Sequence, residues 1–313
     1  MKISANKKVS RINMRKQISN NWDLYAMLLL PTIYIIVFKY IPMYGLQIAF
    51  KDYNIFKGMF GSPWVGFKHF NQFFQSTEFE RLVGNTLILS VYSIIVGPIL
   101  PILLAIILNY LINNKLKKTL QMVTYAPYFI STVVMVSIIN QFFAIDFGPV
   151  NVMLKMMGLE QIDFLSNANI FPHLYVWTGL WQYTGFNSII YLASLTGVDT
   201  TLHEAAIVDG ASKLKRMWHI DLPSIKPTII ILLIMSVGSI MSTGFEKIYL
   251  MQNNLNLRTS EVIDTYVYKI GLASPMANYS FPTAIGLFQS IIGLFLIIIV
   301  NKISQKVSDI SLW

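Results

Sequence analysis

The chain has 313 residues, 54% of them hydrophobic and 12% charged, with a mean hydropathy of +0.55. Soluble domains carry about a quarter charged residues, so a water-soluble fold around one buried core is disfavoured and lipid is the expected solvent. The absence of cysteine excludes disulfides, zinc-thiolate sites and cysteine nucleophiles, and the net charge of +9 is distributed in a way that argues against nucleic acid as a partner.

Residues 1–22 form a polar, basic tail. Six apolar spans follow, at approximately 24–44, 84–112, 119–143, 170–197, 226–249 and 281–301, each about the 20 residues that a bilayer requires. The first contains Pro31 and Pro42 and runs into Lys51 and Asp52, so it reads as a retained helix and not as a cleaved leader. Between the first two spans, residues 45–83 are rich in Gly, Phe and Pro, a segment expected to lie on the membrane surface or to pack on the bundle. Pro98 and Pro101 predict a kink in the second span, and Pro127 predicts one in the third. Lys and Arg concentrate in the tail, the 113–118 loop, the 198–226 loop and the C-terminal end. These should be cytoplasmic, with both termini inside. The expected fold class is therefore an all-α membrane protein of six transmembrane helices, spread over residues 23–313.

By these boundaries the acidic residues fall in loops, tails or span ends, with Glu246 closest to the membrane interior, and no basic residue lies deep in a span. A carrier coupled to protons or sodium needs a titratable or coordinating group at mid-membrane, so this alternative is disfavoured. The four histidines are scattered without metal-ligand spacing, and no nucleophile or carboxylate pair marks an intramembrane enzyme. Catalytic and metal-binding residues are expected to be none, and His203 and His219 are expected at the surface.

Residues 199–223, DTTLHEAAIVDGASKLKRMWHIDLP, interrupt the apolar pattern. Thr201 and Glu204 have the spacing of a capping box. Leu202, Ala205, Ala206 and Asp209 share one helical face. Gly210 stands where a helix end needs a left-handed residue, Ser212 is placed to cap a second helix, and Pro223 to end it. The segment reads as a helix–turn–helix with a small-residue face and an apolar edge of Leu214, Met217 and Trp218. It is either clasped by another protein or laid amphipathically on the membrane.

The pattern E-A-A-x2-D-G-x9-I-x-L-P, met by Glu204, Ala205, Ala206, Asp209, Gly210, Ile220, Leu222 and Pro223, resembles the EAA loop of permeases in binding-protein-dependent ABC importers. FKYIPMYGLQIAFKDYN (38–54), WVGFKHF (64–70) and the segment preceding the loop resemble the branch that carries sugars and complex oligosaccharides. The resemblance covers about residues 22–310. It implies the type I ABC importer permease fold and a multi-pass subunit of the cell membrane, in contact with lipid. It also implies a second, related permease (a heterodimer), cytoplasmic ATPase subunits carrying ATP and Mg, an external substrate-binding lipoprotein and an oligosaccharide substrate. Glu204, Ala205, Ala206, Asp209, Gly210, Leu214 and Pro223 would couple the chain to the ATPase. No cofactor is expected on this chain: the sequence lacks a G-x-x-x-x-G-K-[ST] loop, so ATP hydrolysis is expected on a separate subunit.

Sugars are held by aromatic stacking and by amide and hydroxyl hydrogen bonds. Polar groups in hydrocarbon are expected to face the bundle or a cavity. Trp177, Trp181, Tyr183 and Asn187 in span four, Tyr128 in span three, Glu246 and Tyr249 in span five and Gln289 in span six are the candidate substrate path. Interfacial anchoring and helix packing are the plainer uses of the same residue types. A different solute, such as glycerol phosphate, is the alternative within the same class, and a cationic cavity would favour it.

Overall fold

The computed structural model describes residues 21–275, 278–308 and 311–312. Nearly all of the 1–22 tail therefore lies outside the described residues. The first helix, α1 (Trp22–Phe50), buries none of its most apolar stretch. A helix that is apolar all round and packed by nothing from its own chain belongs in lipid or against another subunit. Only its last turn is engaged, where Ala49 packs with Phe70 and Ala284. Beyond it the chain folds back on itself: Lys51 pairs with Trp64 in an isolated antiparallel bridge, and the Phe50 ring stacks on Trp64 at 5.6 Å. A short helix, α2 (Lys68–Phe74), inserts Phe73 among Phe79, Phe281 and Phe288. The aromatic segment thus packs on the bundle.

Pro98 and Pro101 do not end α3 (Glu78–Tyr110), which runs through them as one span. The third predicted span is different. It is two helices, α4 (Asn114–Phe129) and α5 (Thr132–Phe142), meeting at 99°. Pro127 lies in a tight 3-10 turn, Ile130 is extended, and the Ser131 side chain accepts the Val134 N–H to start α5. Proline stops one helix and a serine cap starts the next. After the short α6 (Pro149–Met156) comes α7 (Phe171–Thr196), the central helix. It approaches α4 so closely that a Cβ at Gly185 would collide with the Thr124 carbonyl.

The hairpin helix α8 (Thr200–Val208) leads to α9 (Lys213–Gly238). The fifth predicted span is thereby corrected: it starts at 213, stops at 238, and resumes as α10 (Phe245–Met251) after a non-helical break at 239–244. Helix α11 (Ile263–Tyr268) and the long α12 (Ser280–Ser308) complete the chain. Among the described residues α1, α3, α9 and α12 are long and apolar enough to cross a membrane, and a fifth span is added if the bent α4–α5 pair counts as one. At 1.5 Å per residue α7 reaches about 39 Å, enough for a bilayer core of about 30 Å, but Gln182, Thr184, Asn187 and Ser188 dilute its apolar character. That dilution separates the observed count from the six spans expected.

Of the four apolar clusters among the described residues, two lie at opposite ends of the bundle. At the hairpin end Ala105, Ile106 and Leu108 of α3 pack on Tyr191, Leu192 and Leu195 of α7. At the other end Leu89, Met135 and Phe171 pack on Ile248 and Val262. The far end is also tied by charge. Glu261 accepts from Arg81 at 2.6 Å and from Lys269 at 2.7 Å, and Asn85 donates to its carbonyl at 2.8 Å.

Burial pushes the Glu261 carboxyl up, but the hydrogen bonds from Lys269 and Arg81 outweigh burial and hold it below the ordinary value of 4.5. A depressed folded value means that the unfolded chain binds more protons near pH 4, so this stability is full above 4.5 and is lost as pH falls through the folded value. Glu261→Gln is expected to cost about 1.5–3 kcal/mol at neutral pH in thermal unfolding of the detergent-solubilised protein, with the gap to wild type closing below pH 4. An unchanged gap at acid pH would sink the assignment.

Candidate coupling hairpin and translocation path

The hairpin starts from a cap other than the one expected. The Asp199 side chain, in an extended conformation, accepts the Thr201 N–H at 2.9 Å. This places Thr201 and Glu204 inside the helix and leaves no capping box between them. The same hydrogen bonds from Thr201 hold the Asp199 carboxyl below its usual range. Gly210 adopts φ +75, and Ala211 N–H closes back on the Ala206 carbonyl at 2.8 Å, a left-handed helix stop that glycine permits. Ser212 caps α9 through Lys215 N–H at 3.4 Å. Pro223 does not end the helix. A π turn at Met217–Asp221 precedes it and absorbs the missing donor, so α9 continues unbroken from the hairpin into the span.

Glu204, Ala205, Asp209, Gly210 and Leu214 are exposed and Ala206 is half-buried. Leu202, Ile207 and Val208 are also uncovered, Val208 being 88% exposed. Beneath this open surface lies a buried polar knot. Asp221 is fully buried and accepts from the Tyr110 hydroxyl at 2.7 Å. His203 Nε2 is 3.4 Å from its other oxygen, and the Arg216 guanidinium sits 5.8 Å from the centre of the Tyr110 ring. His203 is therefore half-buried, with one side against the knot and the other still open. The knot joins α8, α9 and the end of α3.

Between the two apolar cores the bundle is hollow. A cavity of about 410 Å³ is lined by Ser90 and Ser93 of α3, Tyr175 and Asn187 of α7, Ser236 of α9 and Thr243 of the 239–244 break. A second, of about 280 Å³, shares Ser93, Tyr175 and Asn187 and adds Tyr183 and Lys247. A third, of about 640 Å³, lies beyond the 239–244 break against Asp264, Tyr268, Tyr279 and Thr283. Gly244 borders all three. The hydroxyls of Ser90 and Thr243 are buried without a protein partner.

Of the residues expected on a substrate path, Tyr183 and Asn187 reach these cavities. Gln289 stands behind the break, donating to the Met241 carbonyl and, at 2.8 Å, to Asp264. Tyr128 stacks on Phe186 at 3.7 Å and meets Tyr183 at 5.9 Å. Tyr249 stacks on Phe245 at 5.6 Å, and Glu246 is exposed. Trp177 and Trp181 occupy the exposed side of α7 and line none of the three cavities. Trp177 Nε1 donates to the Tyr92 hydroxyl at 2.9 Å.

Three cavity residues escaped the sequence reading. Tyr175 lay in an aromatic run with nothing to single it out. Asp264 falls between the fifth and sixth predicted spans and is half-buried beside Gln289. Lys247 stands near the end of the fifth predicted span and is buried, donating to the Tyr175 carbonyl at 3.1 Å and to Thr178 Oγ1 at 2.9 Å. Lys247 and Asp264 thus reach the cavities from α10 and α11, short helices that are not among the long apolar spans. The signal available for Lys247 was a cation inside a short helix, FEKIYLM, whose other charged residue is the adjacent, exposed Glu246.

Residues 97–309 match the family model described as binding-protein-dependent transport system inner membrane component. The chain belongs to this family. It is similar to Protein LplB of Bacillus subtilis strain 168, at 41% identity over 304 residues, 97% of this chain and 94% of that protein. It is also similar to the polygalacturonan/rhamnogalacturonan transport system permease protein YteP of the same strain, at 42% identity over 91% of this chain and 88% of that one. Among solved structures, a chain of a bacterial ABC transporter involved in the import of the acidic polysaccharide alginate superposes with a TM-score of 0.87 at 37% identity, over 95% of this chain and 100% of that chain. This permease is thus a multi-pass membrane protein and a transport subunit of the inner-membrane component family.

The buried knot generates a test of how the hairpin is held. Asp221→Ala removes the acceptor of Tyr110 and the neighbour of His203, and is expected to cost about 1–3 kcal/mol. Hydrogen exchange in residues 199–221 should speed up at least tenfold while the far end stays protected. Unchanged exchange in the hairpin would show that the knot does not hold it.

Proposed function

We propose that this permease carries an oligosaccharide, handed over by an external binding protein, and that ATP is hydrolysed on separate cytoplasmic subunits gripping the 199–223 hairpin. A second, related permease completes the path. The observation that carries this reading is the open hairpin: a short helix with exposed Glu204, Ala205 and Val208, ended by a left-handed Gly210 and continuous through α9 with a membrane span. Apolar residues left uncovered beside charged ones fit a protein clasp. Ala205 and Ala206 allow close approach, and Glu204 supplies the charged contact. Because α9 is unbroken from Lys213 to Gly238, a pull on the hairpin moves the wall of the cavities. Tyr183, Asn187 and the serine and threonine hydroxyls suit a polyhydroxylated solute, and the names of the relatives agree with one. Glycerol phosphate is the second reading, favoured by the cation Lys247 at the cavity wall.

The test is co-purification from the native membrane with Glu204→Lys beside wild type. Wild type is expected to bring down an ATPase and a second permease. Reversing a charge clasped in a groove should cost about 3–5 kcal/mol, so the variant should keep the permease and lose the ATPase. If wild type binds no ATPase under extraction that keeps the second permease bound, the importer reading fails.

A further inference from the structure

Lys247 is 7% exposed and belongs to the cavity wall shared by Ser93, Tyr183, Asn187 and Gly244. An ammonium carries three donors. Two are used, by the Tyr175 carbonyl and Thr178 Oγ1, and the ammonium lies 5.1 Å from the centre of the Tyr175 ring. Both oxygen partners are neutral. Among the described residues no carboxylate forms an ion pair with Lys247. Directly opposite, Gly179 has no side chain, and a Cβ there would already touch Nζ at 3.4 Å. The protein thus leaves room around a buried cation and supplies no counter-charge.

A buried charge is costly unless it is paired and hydrogen-bonded. We propose that the counter-charge is the carboxylate of the cargo, so that this permease is built for acidic oligosaccharides containing uronic acid units, with Lys247 as the specificity-determining residue. The inference rests on the saccharide reading above and narrows it. A single ammonium balances the one negative charge of a carboxylate, whereas a phosphate monoester carries about −1.5 to −2 at neutral pH and would leave charge uncompensated in the site. The amide of Asn187 and the hydroxyl of Ser93 then meet the ring hydroxyls, and Tyr183 offers an aromatic face to the sugar.

The experiment measures binding to the purified complete membrane complex, without its binding protein, so that only the transmembrane site selects. Trigalacturonate, neutral galactotriose and glycerol 3-phosphate are titrated against wild type, Lys247→Gln and Lys247→Arg. Wild type is expected to bind trigalacturonate about tenfold or more tightly than galactotriose. Lys247→Gln should erase that preference while still binding galactotriose, which reports an intact site, and Lys247→Arg should keep most of it. Equal affinity of wild type for the two trisaccharides overturns the inference and leaves the saccharide reading standing. Persistence of the preference in Lys247→Gln overturns the role of the residue. Binding of glycerol 3-phosphate alone removes both readings, as does binding of none of the three to a complex that still hydrolyses ATP.

Discussion

In hydrocarbon every backbone N–H and C=O must find a partner within the protein, so a chain can leave the helix only where protein or a cavity surrounds it. The break at 239–244 obeys this constraint, and the interior is arranged around it. Ser239, Ile240 and Ser242 close short turns onto Ser236, Val237 and Ser239. Gln289 donates to the Met241 carbonyl. Tyr175 of α7 and Asp264 of α11 stand on either side, each on a cavity that Gly244 borders. Removing the helix from these six residues exposes polar groups to an interior that would otherwise be apolar, and the hydroxyls of Ser239, Ser242 and Thr243 add to them. The polar route through the bundle is thus made by interrupting a helix as much as by choosing side chains.

The two apolar cores frame that route. One joins α3, α7 and α9 at the hairpin end, the other joins α3, α5, α7 and α10 at the far end. Helix α7 belongs to both, and it carries the polar residues that face the space between them. This explains why the most central helix is not among the four most apolar ones: one side of it packs against its own chain and the cavities, and the Trp177 and Trp181 side is left exposed. Rigid packing at both ends with hydroxyl-lined space between suits an element that changes shape by relative movement of helices.

Legibility in the sequence followed the range of the interactions. The hairpin is local, so Gly210 as a left-handed stop and Ser212 as a cap could be read from spacing alone. The same method chose Thr201 where Asp199 caps, because two acceptors two residues apart compete and the extended conformation at Asp199 decides between them. Pro223 reads as a stop because a proline normally is one; the π turn at Met217–Asp221 before it, with Asp221 buried, leaves no such mark in the sequence. Pro127 marked a bend, but nothing local fixes its 99°. Lys247, Asp264 and Asp221 were missed for one reason. A charged residue in sequence reads as exposed until its partners, Thr178, Gln289 and Tyr110, are brought from distant segments. Trp177 and Trp181, the aromatic pair most visible in the sequence, stand away from the cavities.

Helix α1 has a different consequence. Its long apolar stretch touches no core of its own chain, and its anchorage is the final turn at Ala49 with the aromatic fold-back behind it. Shape does not discipline such a helix; solubility in its surroundings does. Its sequence is free to drift among apolar residues as the neighbouring lipid or subunit changes, while the fold-back that pins it stays fixed. The permease therefore contains a helix whose identity is written by its environment, attached to the helices α2 to α12, whose identity is written by each other.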